Sequence, residues 1–167
     1  HQFYPDAQLD FMLRKGNESL LQGHPILKNL LVWDKKGGKY KTLMKLLRQV
    51  RAEKYDIVVN LQRYGTTGGF TALSGAGTTI GFDKNPFSRF FTKSYTHEME
   101  SGGHEVERNQ LLIADITDVQ AAKPRLYPSD TDIALVEPRK KDPYICMAPT
   151  SVWFTKQYPL EKWVDLL

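Results

Sequence analysis

Short apolar runs recur along the chain at residues 7–13, 29–33, 56–61, 78–82 and 144–148. Between them, apolar and polar positions repeat at helical spacing. The clearest case is 39–54, where Tyr40, Leu43, Met44, Leu47 and Val50 fall on one stripe of a helix. Residues 106–116 repeat the pattern, and 160–167 begin it again. Near-continuous apolar strands alternating with amphipathic helices predict an α/β fold, a Rossmann-like parallel sheet with flanking helices. The run at 144–148 is expected to be a buried strand, with Cys146 as an inert buried thiol.

Punctuation divides the chain. Residues 121–143 carry four prolines and mixed charge, which reads as a connection between domains, with a short helix near 130–137. The predicted layout is a Rossmann-like domain over 1–125, a connection over 126–143 and the first βα unit of a second domain over 144–167. Pro159 falls where a first helical position would be. At the front, HQFYPDAQLDF reads as the end of a helix, a Pro-Asp turn and a strand. A doubly wound sheet normally places a further strand before such a helix, near its centre. The expectation is therefore a sheet lacking its first βα unit, with two unpaired edges prone to swapped or edge-paired dimers.

Composition narrows the function classes. A chain of 167 residues, 41% hydrophobic and 25% charged, is globular in type. No apolar run approaches the roughly 18 residues of a membrane span, and the start lacks the layout of a secretory signal. The lone cysteine permits no internal disulfide. Charge is unevenly placed: residues 35–54 hold eight Lys or Arg against one Glu. That points to an anionic partner, with Lys41, Lys45, Arg48 and Arg51 on the polar side of the helix. Neither helix-turn-helix spacing nor an aromatic RNA-binding signature is present, so nucleic acid is not the expected partner. The four histidines and the cysteine show no metal-ligand spacing, and no metal or cofactor is expected.

Three stretches carry candidate chemistry. Gln62-Arg63-Tyr64-Gly65-Thr66-Thr67-Gly68-Gly69 follows a predicted strand, at the sheet end where open α/β folds bind ligands. Its polar groups suit a phosphate or polyhydroxy ligand, although a flexible βα turn would also need the glycines. His104, Glu107 and Arg108 open a helix, with Ser101 or a nearby residue as its cap. His104 is either a proton carrier or an ordinary helix-start histidine. Thr150 and Ser151, then Lys156 ahead of a helix start, resemble a phosphate-binding turn without being a P-loop.

Together YDIVVNLQ, TIGFDKN, HEVERNQLLI and the closing AP-T-S-xxxx-K-x-YP-xx-KW resemble glycosyltransferase family 9, the ADP-heptose:lipopolysaccharide heptosyltransferases. The resemblance implies the N-terminal half of a GT-B glycosyltransferase, in which two Rossmann-like domains face a cleft. The acceptor, the lipopolysaccharide inner core on lipid A, binds the N-terminal domain, and ADP-heptose binds the C-terminal one. It further implies that Thr150, Ser151 and Lys156 contact the donor diphosphate, although the family often has glycine where Thr150 stands. Gln62, Arg63, His104, Glu107 and Arg108 would lie on the acceptor side of the cleft, with Asn60 replacing an aspartate common in the family. The catalytic base is expected before His1, so this chain is expected to be inactive alone. The basic helix would face the phosphorylated core or the inner leaflet of a cytoplasmic, peripherally bound enzyme. A related transferase with another nucleotide sugar, or a non-catalytic anion-binding Rossmann-like module, are the alternatives.

Overall fold

A computed structural model describes residues 2–98, 103–148 and 150–166. The chain separates into two compact units, residues 1–127 and 128–167.

The first unit is α/β. Strands β1 (Leu9–Arg14) and β2 (Leu27–Trp33) form a parallel pair, in register from Asp10 opposite Asn29 to Arg14 opposite Trp33. Helix α1 (Lys39–Glu53) follows, then β3 (Ile57–Asn60), α2 (Gly65–Ala72), β4 (Thr78–Phe82) and β5 (Lys93–Tyr95). These three strands make a second parallel sheet in the order β3-β4-β5. Helix α3 (Glu105–Leu111) completes the unit.

The turn into α1 is built on Asp34. Its Oδ1 accepts from the amides of Lys36 and Gly37 at 3.0 and 2.8 Å, and its Oδ2 takes the Lys15 ammonium at 2.6 Å. Gly38 then turns at φ +101°, a left-handed value that glycine adopts without a Cβ clash. Trp33 Nε1 donates to Lys39 O at 3.0 Å and fixes the helix start on the sheet. Leu46, Leu47 and Val50 of α1 bury against Leu31, Trp33 and Phe70. Tyr40 and Met44, expected on that stripe, are exposed instead. At 100° per residue they lie on the flank of the arc centred on Leu43, Leu46, Leu47 and Val50, so the sheet never reaches them. A smaller core joins Ile80, Phe82 and Leu112, with Phe82 and Leu112 fully buried.

The second unit holds α4 (Asp130–Val136), a 3-10 turn at Glu137–Lys140, another at Phe154–Lys156 and α5 (Leu160–Leu166). Residues 144–148 form no strand, and Cys146 is exposed, which corrects two sequence expectations. A strand needs a neighbour to bond its backbone, and none lies beside this run among the described residues. Residues 2–4 show no helical end, although the Pro5-Asp6 turn is present. None of the described helices is long and apolar enough to cross a membrane.

Candidate functional site

The carboxyl ends of β3, β4 and β5 gather most of the polar side chains of interest. Asn60 closes β3, and its Oδ1 accepts the Gln62 amide at 2.9 Å. Below the turn, buried Asn85 donates Nδ2 to the carbonyls of Gln62 and Tyr64 at 2.9 and 3.2 Å and accepts the Phe87 amide at 3.0 Å. Gly68 is required here: a Cβ on it would stand 1.9 Å from Asn85 Oδ1. Glycine thus lets α2 press against the Asn85 clamp, and the turn presents Gln62 and Arg63 outward, both exposed.

Two further elements converge on the same end. Beyond β4, Asp83 Oδ1 accepts the His97 amide at 3.0 Å, which anchors the segment after β5. The His97 ring is buried edge-on against Phe82, 4.5 Å between centroids, and its Nδ1 has no hydrogen-bond partner among the described residues. At the start of α3, His104 is the cap: its Nδ1 accepts the Val106 amide at 3.2 Å, while Glu107 Oε2 accepts the His104 amide at 2.8 Å. Ser101, the other candidate cap, lies outside the described residues. Arg108 donates to Glu105 Oε2 through Nε and Nη2 at 3.2 and 2.5 Å, and to Gly103 O. This pairing with Arg108 holds the Glu105 carboxyl below the usual carboxylate range, with smaller contributions from His97 and Arg63. Arg63, His97, Glu105 and Arg108 therefore share one electrostatic neighbourhood.

The predicted residues fare unequally. Gln62 and Arg63 reach the sheet end, and Arg108 joins them. His104 Nδ1 and Glu107 Oε2 are engaged in the helix cap. Sequence reasoning passed over Asn85, Glu105 and His97. The signal for Asn85 was its place before Pro86, just beyond a buried strand. On α1, Lys41, Lys45 and Arg48 are exposed, whereas Arg51 Nη1 donates to Leu73 O at 3.0 Å, tying the helix to the end of α2. In the second unit, Ser151 Oγ accepts the Trp153 amide at 3.2 Å and Ser151 O accepts Gln157 Nε2 at 2.7 Å. Thr150 and Lys156 are exposed, Lys156 closing the 3-10 turn ahead of α5. No group of acidic, histidine or cysteine side chains among the described residues could hold a metal ion.

Parallel strands with flanking helices define an α/β protein, and its polar turns gather at the sheet end where open folds of this class bind ligands. Residues 43–167 match glycosyltransferase family 9 (heptosyltransferase), and the chain belongs to that family. It is 32% identical over 119 residues to a lipopolysaccharide heptosyltransferase 3 of Escherichia coli, covering 68% of this chain and 35% of that protein. Against the enzyme of the same name from Escherichia coli strain K12 it is 26% identical over 178 residues, covering 99% of this chain and 52% of that protein. The crystal structure of the glycosyl transferase family 9 from Veillonella parvula DSM 2008 overlays 95% of this chain and 49% of its own, at 16% identity and a TM-score of 0.73. The chain thus spans about half the length of that structure, and about half or less of these enzymes.

Proposed function

We propose that residues 1–167 are the acceptor-side part of a heptosyltransferase, joined to the opening of its nucleotide-sugar-binding half. The family match over residues 43–167, with relatives named lipopolysaccharide heptosyltransferase 3, carries this reading. In it, a heptose passes from ADP-heptose to a hydroxyl of the lipopolysaccharide inner core. The bond from the anomeric carbon to the ADP phosphate breaks as the bond to the acceptor oxygen forms on the opposite face, with inversion. ADP leaves with the electron pair, and a carboxylate takes the hydroxyl proton. That base and the first βα unit belong to polypeptide outside these residues, so the chain alone transfers nothing.

Each residue then has a role that its chemistry suits. Lys156, with the Thr150 and Ser151 turn, stabilises negative charge on the departing diphosphate. Gln62, Arg63 and Arg108 bind the polar acceptor at the sheet end, with Glu105 holding the guanidinium of Arg108 in place. His104 and Glu107 act as positioning residues by fixing the start of α3. Lys41, Lys45 and Arg48 face the phosphorylated core or the anionic inner leaflet, which places the enzyme peripherally on the cytoplasmic side of the inner membrane.

A competition series on the longest product of the gene tests the donor assignment. ADP should inhibit sugar transfer more strongly than UDP or GDP. Lys156→Ala should weaken ADP inhibition by roughly tenfold, the loss of one charge-assisted contact. A preference for UDP would sink the heptose assignment.

A further inference from the structure

One surface of the first unit shows aromatic rings to solvent. Between β4 and β5 the chain reads Lys84-Asn85-Pro86-Phe87-Ser88-Arg89-Phe90-Phe91-Thr92-Lys93, with three basic residues and no acidic one. A 3-10 turn at Ser88–Phe90 shapes this stretch. Tyr64, the cap residue of α2, is 72% exposed, and Phe87 and Phe90 are 37% and 56% exposed. The Phe87 and Phe90 rings stand 6.1 Å apart between centroids, and the Arg89 guanidinium lies 4.7 Å from the Phe90 ring centre.

The backbone holds this exposure in place. Buried Asn85 joins both parts of the patch, donating to Tyr64 O at 3.2 Å and accepting the Phe87 amide at 3.0 Å. Ser88 Oγ donates to Asp83 O at 2.9 Å, and the Phe91 amide donates to Ser88 O at 3.0 Å. Phe91 turns inward over Gly81, where a Cβ would stand 2.6 Å from its ring. Its neighbour Phe90 is thereby kept outward. Phe87 rests on the first turn of α2, where a Cβ on Gly65 would stand 3.6 Å from its ring. Contiguous exposed apolar surface of this kind marks a site of interaction.

The charge around the rings indicates what covers them. Lys93 pairs with Asp115, and Asp83 accepts the His97 amide. Lys84 and Arg89 are exposed and form no ion pair among the described residues. At these exposures the three rings offer roughly 300 Å². A stable protein interface takes roughly 800 Å² from each partner. A second copy meeting this face about a two-fold axis would also set Lys84 and Arg89 against their own kind. Aromatic rings rimmed by basic groups suit the headgroup boundary of an anionic bilayer instead.

We propose that Tyr64, Phe87 and Phe90 insert into an anionic phospholipid surface, with Lys84 and Arg89 on its phosphates. Tyr64 directly follows Gln62 and Arg63, so insertion brings that sheet end to the surface from which a lipid-linked acceptor rises. The assignment rests on the peripheral placement proposed above and deepens it. Basic α1 supplies attraction at a distance, and the aromatic turn supplies the hold.

Flotation of the longest product of the gene tests it, with vesicles of phosphatidylglycerol and phosphatidylethanolamine beside vesicles of phosphatidylcholine alone. Binding should be confined to the anionic vesicles. Phe90→Ser should weaken it by about tenfold, the effect of one partly exposed ring no longer leaving water. Arg89→Gln should weaken it by about fivefold. Both are surface changes, so ADP release with a soluble inner-core acceptor should stay at the parent rate. In Phe90→Trp, the emission should shift to the blue on anionic vesicles and be quenched by brominated acyl chains, each read as a difference from the parent. A parent that floats no better than Phe90→Ser and Arg89→Gln would overturn insertion by this turn and leave the peripheral placement standing. A parent that does not float at all would overturn both. Absence of quenching in Phe90→Trp would show that another domain or protein covers the patch, and loss of ADP release in Phe90→Ser would put the ring in the transfer machinery; either overturns the proposal.

Discussion

The two units of this chain carry similar local signals and reach different ends. In the first, Phe82 and Leu112 are fully buried; in the second, Ile145 and Phe154 are each 86% exposed. Both contain well-capped helices. His104 and Glu107 cap α3, and Ser129 and Asp132 cap α4 by the same reciprocal arrangement, with Ser129 Oγ accepting the Asp132 amide at 3.2 Å and Asp132 Oδ2 accepting the Ser129 amide at 2.9 Å. A helix closes its hydrogen bonds within itself, so caps and spacing suffice to form one where little else packs. A strand borrows its partners. The run at 144–148 is as apolar as β4, yet it forms no strand because no neighbour stands beside it among the described residues.

The contrast can be broken or sharpened by substitution. Phe82→Ala should destabilise the first unit by about 3–5 kcal/mol, the usual cost of emptying a filled aromatic site, read as a shifted denaturation midpoint. Gly68→Ala should cost about 1–3 kcal/mol, because the new methyl displaces Asn85 from the carbonyls it bonds. In an Asn85→Gly background, where no side chain remains to meet the methyl, Gly68→Ala should cost nothing further, which would show that the clash, and not helix propensity, sets that cost. Lowering the pH should act more gently, through Asp34. Its carboxyl is held down to about 2 from the ordinary 3.8, first by the Lys15 ammonium and then by the turn amides. Because the folded value is the lower one, its contribution is present above pH 4 and fades as the pH falls toward 2, and Asp34→Asn should flatten that slope. Phe154→Ala in the second unit should move stability by less than about 0.5 kcal/mol, since an exposed ring leaves no cavity. A loss comparable to that of Phe82 would erase the distinction between the units.

Much of the first unit was legible in the sequence. Residues 78–82 coincide with β4, and 39–54 differ from α1 by one residue at the end. Helix α2 was hidden because GTTGGFTA holds three glycines, which oppose a helix in isolation. Its helix is secured by tertiary contacts: Gly68 against Asn85, and Phe70 and Thr71 buried. The three residues of β5, Lys-Ser-Tyr, carry no apolar run, and only pairing with β4 makes them a strand. The site was legible in part for the same reason. Gln62 and Arg63 follow a recognisable strand, so their position could be read. Glu105 and His97 matter through partners distant in sequence: Arg63, for instance, acts on Glu105 from forty-two residues away.

The most direct measurement is ADP release from ADP-heptose in the presence of a lipopolysaccharide inner-core acceptor, run on the 167-residue chain and on the longest product of its gene side by side. The account predicts release by the longer product and none above background by the 167 residues alone. Release by the shorter chain would contradict the placing of the base outside it, and release by neither would contradict the assignment of this donor and acceptor.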